Sequence, residues 1–147
     1  YKQEQVMKTV HILLVEDNEG DIVLTLDAFE ESKIKTDIKV VRNGKEALDF
    51  LFKKGEYASV ESPDLILLDI NLPIFNGHDV LKRIKQDPSL KKIPVIMLTT
   101  SSNQRDINMA YENHANCYVT KPLDMDGFVE AVLKIEEFWL ELVTLAG

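Results

Sequence analysis

Five short apolar runs recur along the chain, and each ends abruptly at a polar residue. Ile12 to Val15 stops at Glu16, Ile38 to Val41 at Arg42 and Asn43, and Leu65 to Leu68 at Asp69. Val95 to Leu98 stops at Thr99, and Cys117 to Val119 at Thr120 and Lys121. Runs this short and this rich in Val, Ile and Leu predict strands buried on both faces, as in a parallel sheet covered by helices. The stretches between them carry a helical period. Ile22, Val23, Leu26 and Phe29 form one face after Asn18, and Ala47, Leu48, Leu51 and Phe52 form another behind Asn43 and Glu46, which are spaced as a capping box. The Asn43-Gly44 pair would also suit a hairpin turn, but the 3.6-residue period that follows favours a helix. Val80, Leu81 and Ile84 mark a third helix that ends before Pro88. Residues 103–113 form a weaker fourth, with Ile107, Ala110 and Tyr111 to bury, and residues 124–145 a fifth. The stretch GEYASVESPD is expected to be a loop. The pattern is α/β, a (βα)5 doubly wound parallel sheet in one domain.

At 147 residues the chain can bury most of a single core. Its 17 Lys and Arg against 25 Asp and Glu leave a net charge of −8, which argues against a nucleic-acid partner. Cys117 is the single cysteine and closes no intramolecular disulfide, and no apolar run reaches the roughly 20 residues that cross a bilayer. A cytoplasmic protein that engages neither nucleic acid nor membrane is expected. Tyr1 to Lys8 is polar before Met7 and lacks the apolar stretch of a signal peptide. The domain is therefore expected over residues 8–147, with 1–7 outside the fold.

In an open α/β sheet, ligands bind beyond the carboxyl ends of the strands. That rule gathers Glu16, Asp17, Asp69, Thr99 and Lys121 around one mouth. Three carboxylates facing one ammonium leave a local charge of about −2, costly at partial burial unless carboxylates protonate or a cation binds. Mg²⁺ suits a shallow mouth, because it takes oxygen ligands, keeps several waters and needs only one or two carboxylates. Asp69, at the end of the central strand, can then attack phosphorus and form an acyl phosphate. Mg²⁺ and Lys121 would neutralise the phosphoryl oxygens, and the Thr99 hydroxyl would hydrogen-bond one of them. Ordinary structural roles compete at several positions. Asp17 or Asn18 would cap the first helix, as well as rather than instead of binding metal, and Ser101 or Ser102 would cap the fourth. His11, His78 and His114 are scattered and not expected as ligands, Cys117 is expected in the core, and the Tyr111 ring is expected to pack.

The acidic pair in VEDN, the LLDINLP segment with Pro73 and Gly77, the MLTTSS strand end and the YVTKP segment resemble the receiver domain of two-component response regulators. The match runs over roughly residues 8 to 136, in order. The resemblance implies a flavodoxin-like fold with strand order 2-1-3-4-5. It also implies a phosphoryl group taken from a phosphohistidine on a sensor histidine kinase or a histidine phosphotransfer protein. By the same resemblance Asp69 is the acceptor and Asp17, Asp69 and the Asn71 backbone carbonyl hold Mg²⁺ or Mn²⁺. Glu16 assists through water, Thr99 and Tyr118 form a switch pair, and Lys121 contacts the phosphoryl group. Such a protein is a phosphoacceptor with slow self-dephosphorylation rather than an enzyme. NEGD, the long loop before PDLILLD, LTTSS and IEEFWL resemble the single-domain regulators that partner phytochrome-type histidine kinases.

A haloacid-dehalogenase type of hydrolase would want a second aspartate two residues after the first, where this chain has Asn71. A flavodoxin-like cofactor binder would want a Ser/Thr/Gly loop where VEDNEGD stands. A degenerate receiver acting as an unphosphorylated interaction module is the remaining rival, and the complete set of site residues argues against it. The fifth helix would be about 33 Å long, well beyond a typical strand of ~17–20 Å, and so extends past the sheet over residues 137–147. Phe128, Val132, Ile135, Trp139 and Leu142 repeat at coiled-coil spacing. With Phe138 they predict a homodimer through the fourth and fifth helices, with Phe138, Trp139 and Leu142 at its interface. No output domain is expected, so the signal passes by protein contact, to a downstream effector or along a phosphorelay, or the protein serves as a phosphate sink.

Overall fold

The computed structural model describes residues 9–31, 35–99 and 104–120, together with 130, 133, 134 and 137. Five strands, β1 (Val10–Val15), β2 (Thr36–Val41), β3 (Leu65–Leu68), β4 (Val95–Thr99) and β5 (Cys117–Thr120), form one sheet in the order β2-β1-β3-β4-β5. Every pairing is parallel. Between them lie α1 (Glu19–Glu30), α2 (Gly44–Leu51), α3 (Gly77–Gln86) and α4 (Gln104–Glu112). The doubly wound arrangement matches the strand and helix pattern read from the sequence.

Side chains alternate across the sheet, so each strand feeds two cores. Leu13, Val15, Ile66, Leu68 and Met97 pack with Ala47, Leu51, Val80, Leu81 and Ile84 of α2 and α3. Ile12, Leu14, Leu65, Leu67 and Ile96 pack with Ile22, Ala28 and Phe29 of α1. All four residues of β3 are buried, each contributing about 2 kcal/mol of apolar transfer free energy. This central strand therefore holds the residue that follows it, Asp69, at a fixed position.

The helix starts follow their side chains. Asn18, Asn43 and Asn76 each accept a bond from the backbone N–H three residues on, at Asp21, Glu46 and Asp79. The capping box at α2 is shifted by one residue, because the Glu46 carboxylate accepts from the Arg42 N–H rather than from that of Asn43.

Several expectations need correction. Val23 is exposed, and Thr25 is buried in its place. A helical stripe through Ile22, Thr25 and Phe29 leaves position 23 turned outward, and the Thr25 hydroxyl is satisfied by donating to the Asp21 carbonyl at 2.7 Å. Phe52 lies just beyond the end of α2 and is half-buried, whereas Phe50 joins the core. The expected loop contains a 3₁₀ turn at Gly55–Tyr57, whose tyrosine ring sits 5.2 Å from that of Phe50. Tyr111 is not packed but 50% exposed, because α4 buries only Ala110. Lys121, Phe138, Trp139 and Leu142 lie outside the described residues, as do Ser101, Ser102 and residues 1–8. Glu130, Leu133, Lys134 and Glu137, from the expected fifth helix, are helical and exposed.

Candidate functional site

The mouth is built by extending the sheet ladder one step beyond its strands. The Glu16 N–H donates to the Val41 carbonyl of β2 at 3.0 Å, and the Asp69 N–H donates to the Val15 carbonyl of β1 at 3.1 Å. Glu16 and Asp69 are thus locked in register while their side chains emerge at the carboxyl edge. Glu16 is only 2% exposed and Asp69 7%, whereas Asp17 is open to solvent. One oxygen from each of the three carboxylates lies within 4.8 Å of the others.

Neighbouring backbone groups orient this cluster. A Glu16 oxygen accepts from the Asn18 N–H at 3.2 Å, and an Asp69 oxygen accepts a long bond from the Asn71 N–H at 3.4 Å. Asn18, rather than Asp17, caps α1, and the Asp17 carboxylate belongs to the acidic group. Like charges at this separation repel, and a hard divalent cation with oxygen ligands removes the conflict. The residues present fit such an ion: three convergent carboxylate oxygens, two from nearly buried side chains, with one open side for water.

Thr99 closes β4 and pairs in register with Thr120, the last residue of β5. The residue next along from Thr120 is Lys121. Tyr118 pairs with Met97 and is partly buried against the α2–α3 core. The sequence thus brought Glu16, Asp17 and Asp69 together correctly, with Thr99 ending a nearby strand.

The segment from Asp69 to α3 holds features that pattern reading missed. A Cβ on Gly77 would lie 2.1 Å from the Asp69 carbonyl oxygen, and one on Gly44 would lie 2.1 Å from the Phe75 carbonyl oxygen. Both glycines are spacers that let backbone meet backbone. The Gly77 N–H donates to Ile70 at 2.8 Å and the Gly44 N–H to Pro73 at 3.2 Å, so the loop is tied at both ends. Between these ties the Phe75 N–H bonds the Pro73 carbonyl at 2.9 Å, closing a three-residue turn with Ile74 at φ 72°. A β-branched residue in the left-handed region costs about 1–2 kcal/mol. Its side chain is 67% exposed. The sequence signal for this construction was Pro73 with Gly77, seen as a motif but without a role.

A histidine also went unassigned. His78 is buried, with Nε2 3.2 Å from an Asp106 carboxylate oxygen, so it bridges α3 to α4. Its Nδ1 has no hydrogen-bond partner among the described residues.

Comparison with known proteins places this geometry. The model of the response regulator receiver domain matches residues 12–133. The chain belongs to that family. It is a two-component signalling protein of the response regulator class. Response regulator Rcp1 from Synechocystis sp. is 47% identical over 134 residues, covering 91% of each chain. The structure of the phosphorylated cyanobacterial phytochrome response regulator RcpA superposes with a TM-score of 0.86 at 47% identity, over 90% of this chain and 95% of that one. A Mn²⁺-bound form of Rcp1 superposes with a TM-score of 0.84 at 45% identity, over 90% and 95% of the two chains. The five-stranded order 2-1-3-4-5 is that of the family. Among the described residues no helix is long and apolar enough to cross a membrane.

Proposed function

We propose that the protein accepts a phosphoryl group on Asp69 from a phosphohistidine of a sensor histidine kinase or histidine phosphotransfer protein. The observation that carries this reading is the nearly buried Asp69 carboxylate, fixed at the end of the central strand within 4.8 Å of oxygens from Glu16 and Asp17. An Asp69 oxygen attacks phosphorus, the P–N bond breaks, and the donor imidazole leaves as the acyl phosphate forms. Asp17, Asp69 and the Asn71 backbone carbonyl would hold Mg²⁺ or Mn²⁺, with Glu16 assisting through water. When bound, the ion supplies positive charge against the phosphoryl oxygens. Lys121 adds an ammonium on the same oxygens, and Thr99 donates its hydroxyl to one of them. Slow hydrolysis of the acyl phosphate returns Asp69 to its starting state.

Thr99 and Tyr118 act as the switch pair: Thr99 moves toward the phosphoryl group, and the half-buried Tyr118 ring turns into the vacated space. The resemblance to phytochrome response regulators supports a kinase of that type as donor, and a cytoplasmic setting follows from that partnership. The half-exposed Tyr111 on α4 and the exposed Leu133 support a homodimer through this face, extended by Phe138, Trp139 and Leu142. Residues 8–147 act as one receiver, with 137–147 as a helical extension.

Intact-mass analysis with Mg²⁺ and acetyl phosphate tests the reading. A Mg²⁺-dependent gain of one phosphoryl group, lost in Asp69→Asn, is the expected result. No gain under conditions where Mg²⁺ binds would refute it and favour an unphosphorylated interaction module.

A further inference from the structure

Between α2 and α3 lies a groove of about 480 Å³, lined by Leu48, Phe75, Asp79, Lys82, Arg83 and Gln86. Its apolar part comes from Leu48 on α2 and from the Phe75 ring, which the strained turn at Ile74 leaves 38% exposed. Lys82 and Arg83 form its cationic rim, and neither has a hydrogen-bond or ion-pair partner among the described residues. Asp79, one turn earlier on α3, pairs with neither of them and stands at the helix N-terminus, where a carboxylate is favourable. In a chain of net charge −8, two adjacent exposed cations with no ion-pair partner among the described residues, beside an exposed aromatic ring, stand out against the acidic surface.

We propose that this groove is a docking surface for an acidic amphipathic segment of a partner protein. One apolar side chain of that segment would fill the space between Leu48 and Phe75, while its carboxylates face Lys82 and Arg83. Charge complementarity selects the occupant. A second copy of this chain is assigned to the α4 face, and a basic or neutral segment leaves both cations unanswered. Nucleic acid would engage the cations but not the apolar floor. The surface lies on the helix pair opposite α1 and is distinct from the α4 face. It stands whether or not Asp69 is phosphorylated.

The test is an amide NMR titration of the full chain with a synthetic helical peptide bearing leucines on one face and glutamates on the other. A matched peptide with lysines in place of the glutamates is the control. The expected result is saturable shifts centred on Leu48, Phe75, Lys82 and Arg83, with the lysine peptide weaker by about tenfold. Lys82→Glu combined with Arg83→Glu should weaken the acidic peptide by a similar factor, and Phe75→Ser should do so without altering charge. Both changes lie on exposed positions, and unchanged amide dispersion in the variants checks that the fold is retained. Equal binding of the two peptides, shifts centred elsewhere, or no shifts would overturn the proposal. Displacement of the acidic peptide from the groove by single-stranded RNA would overturn the choice of occupant.

Discussion

Gly77→Ala isolates the tightest backbone contact at the candidate acceptor. The added Cβ would sit 2.1 Å from the Asp69 carbonyl oxygen, 2.7 Å from the Ile70 Cα and 2.9 Å from the Asp69 carbonyl carbon. All three atoms are backbone, so no side-chain rotation relieves the clash. Restoring van der Waals distance requires a shift of roughly 1 Å in a close-packed region. Such overpacking costs about 1–3 kcal/mol. The shift also breaks the Gly77 N–H bond to Ile70, worth about 1 kcal/mol. Alanine returns at most about 1 kcal/mol through helix propensity, so the net loss is about 1–3 kcal/mol.

Position matters more than stability here, because the displaced atoms belong to Asp69 itself. Gly55→Ala is the control. Gly55 has φ 58° with no described residue within 4 Å of an added Cβ, so alanine there carries about 1–2 kcal/mol of backbone strain but leaves the mouth untouched. Urea unfolding and the rate of Mg²⁺-dependent phosphoryl uptake from acetyl phosphate would be measured on both variants. The expected result is comparable destabilisation, with uptake lost at least tenfold only in Gly77→Ala. Equal uptake in the two variants would refute the claim that Gly77 sets the Asp69 backbone.

Four further outcomes follow from the structure. Asn18→Ala should cost about 1 kcal/mol in urea unfolding through loss of the α1 cap. Asp17→Asn should stay within about 0.5 kcal/mol of wild type yet weaken Mg²⁺ binding, measured by calorimetry; the reverse pattern would misassign the pair. Burial lowers the Lys85 pKa below 10.5, with its amine donating to the Lys91 and Ile93 carbonyls and to Asn116. The unfolded chain therefore binds this proton more tightly, and stability should rise with pH on approaching 10.5. Relative to Lys85→Met, a flat pH profile would contradict that cause. His78 should carry a proton on Nε2, because Asp106 offers an acceptor there; long-range ¹⁵N correlation spectra detecting a lone Nδ1–H tautomer would exclude the observed orientation.

The strands and the acidic mouth were legible because both follow from short-range rules. Four consecutive apolar residues at 65–68 specify a strand buried on both faces, and the first polar residue after it, Asp69, falls at the carboxyl edge where ligands gather. The Asn43 cap was equally local, since it needs only the residue three positions later. What escaped were relations between distant segments. Nothing in the sequence around Gly44 announces that Phe75 will pass within one atom's breadth of it, because that contact depends on how α2 and the β3–α3 loop meet. Thr25 and Val23 exchanged places because a hydroxyl bonded to its own helix can be buried, which a scale of residue polarity does not register. Tyr111 was misjudged for the opposite reason: an aromatic ring at the right period packs only if an element lies beneath it.

The acidic mouth and the taut loop beside it are two parts of one construction. Three carboxylates converging on one point would spread apart if their backbones were free, since each gains by moving away from the others. Glu16 and Asp69 cannot do so, because their N–H groups complete the ladder of the sheet. Asp69 is held from the other side as well, where Gly77 sits against its carbonyl and bonds the next residue. The left-handed turn at Ile74 is the local consequence of returning the chain from Ile70 to α3 within that short, doubly tied span. Repulsion at the mouth and strain in the loop thus share a cause in backbone fixed by a buried sheet. A cation that relieves the first leaves the second in place, so the loop should keep its shape on metal binding while the carboxylates draw closer.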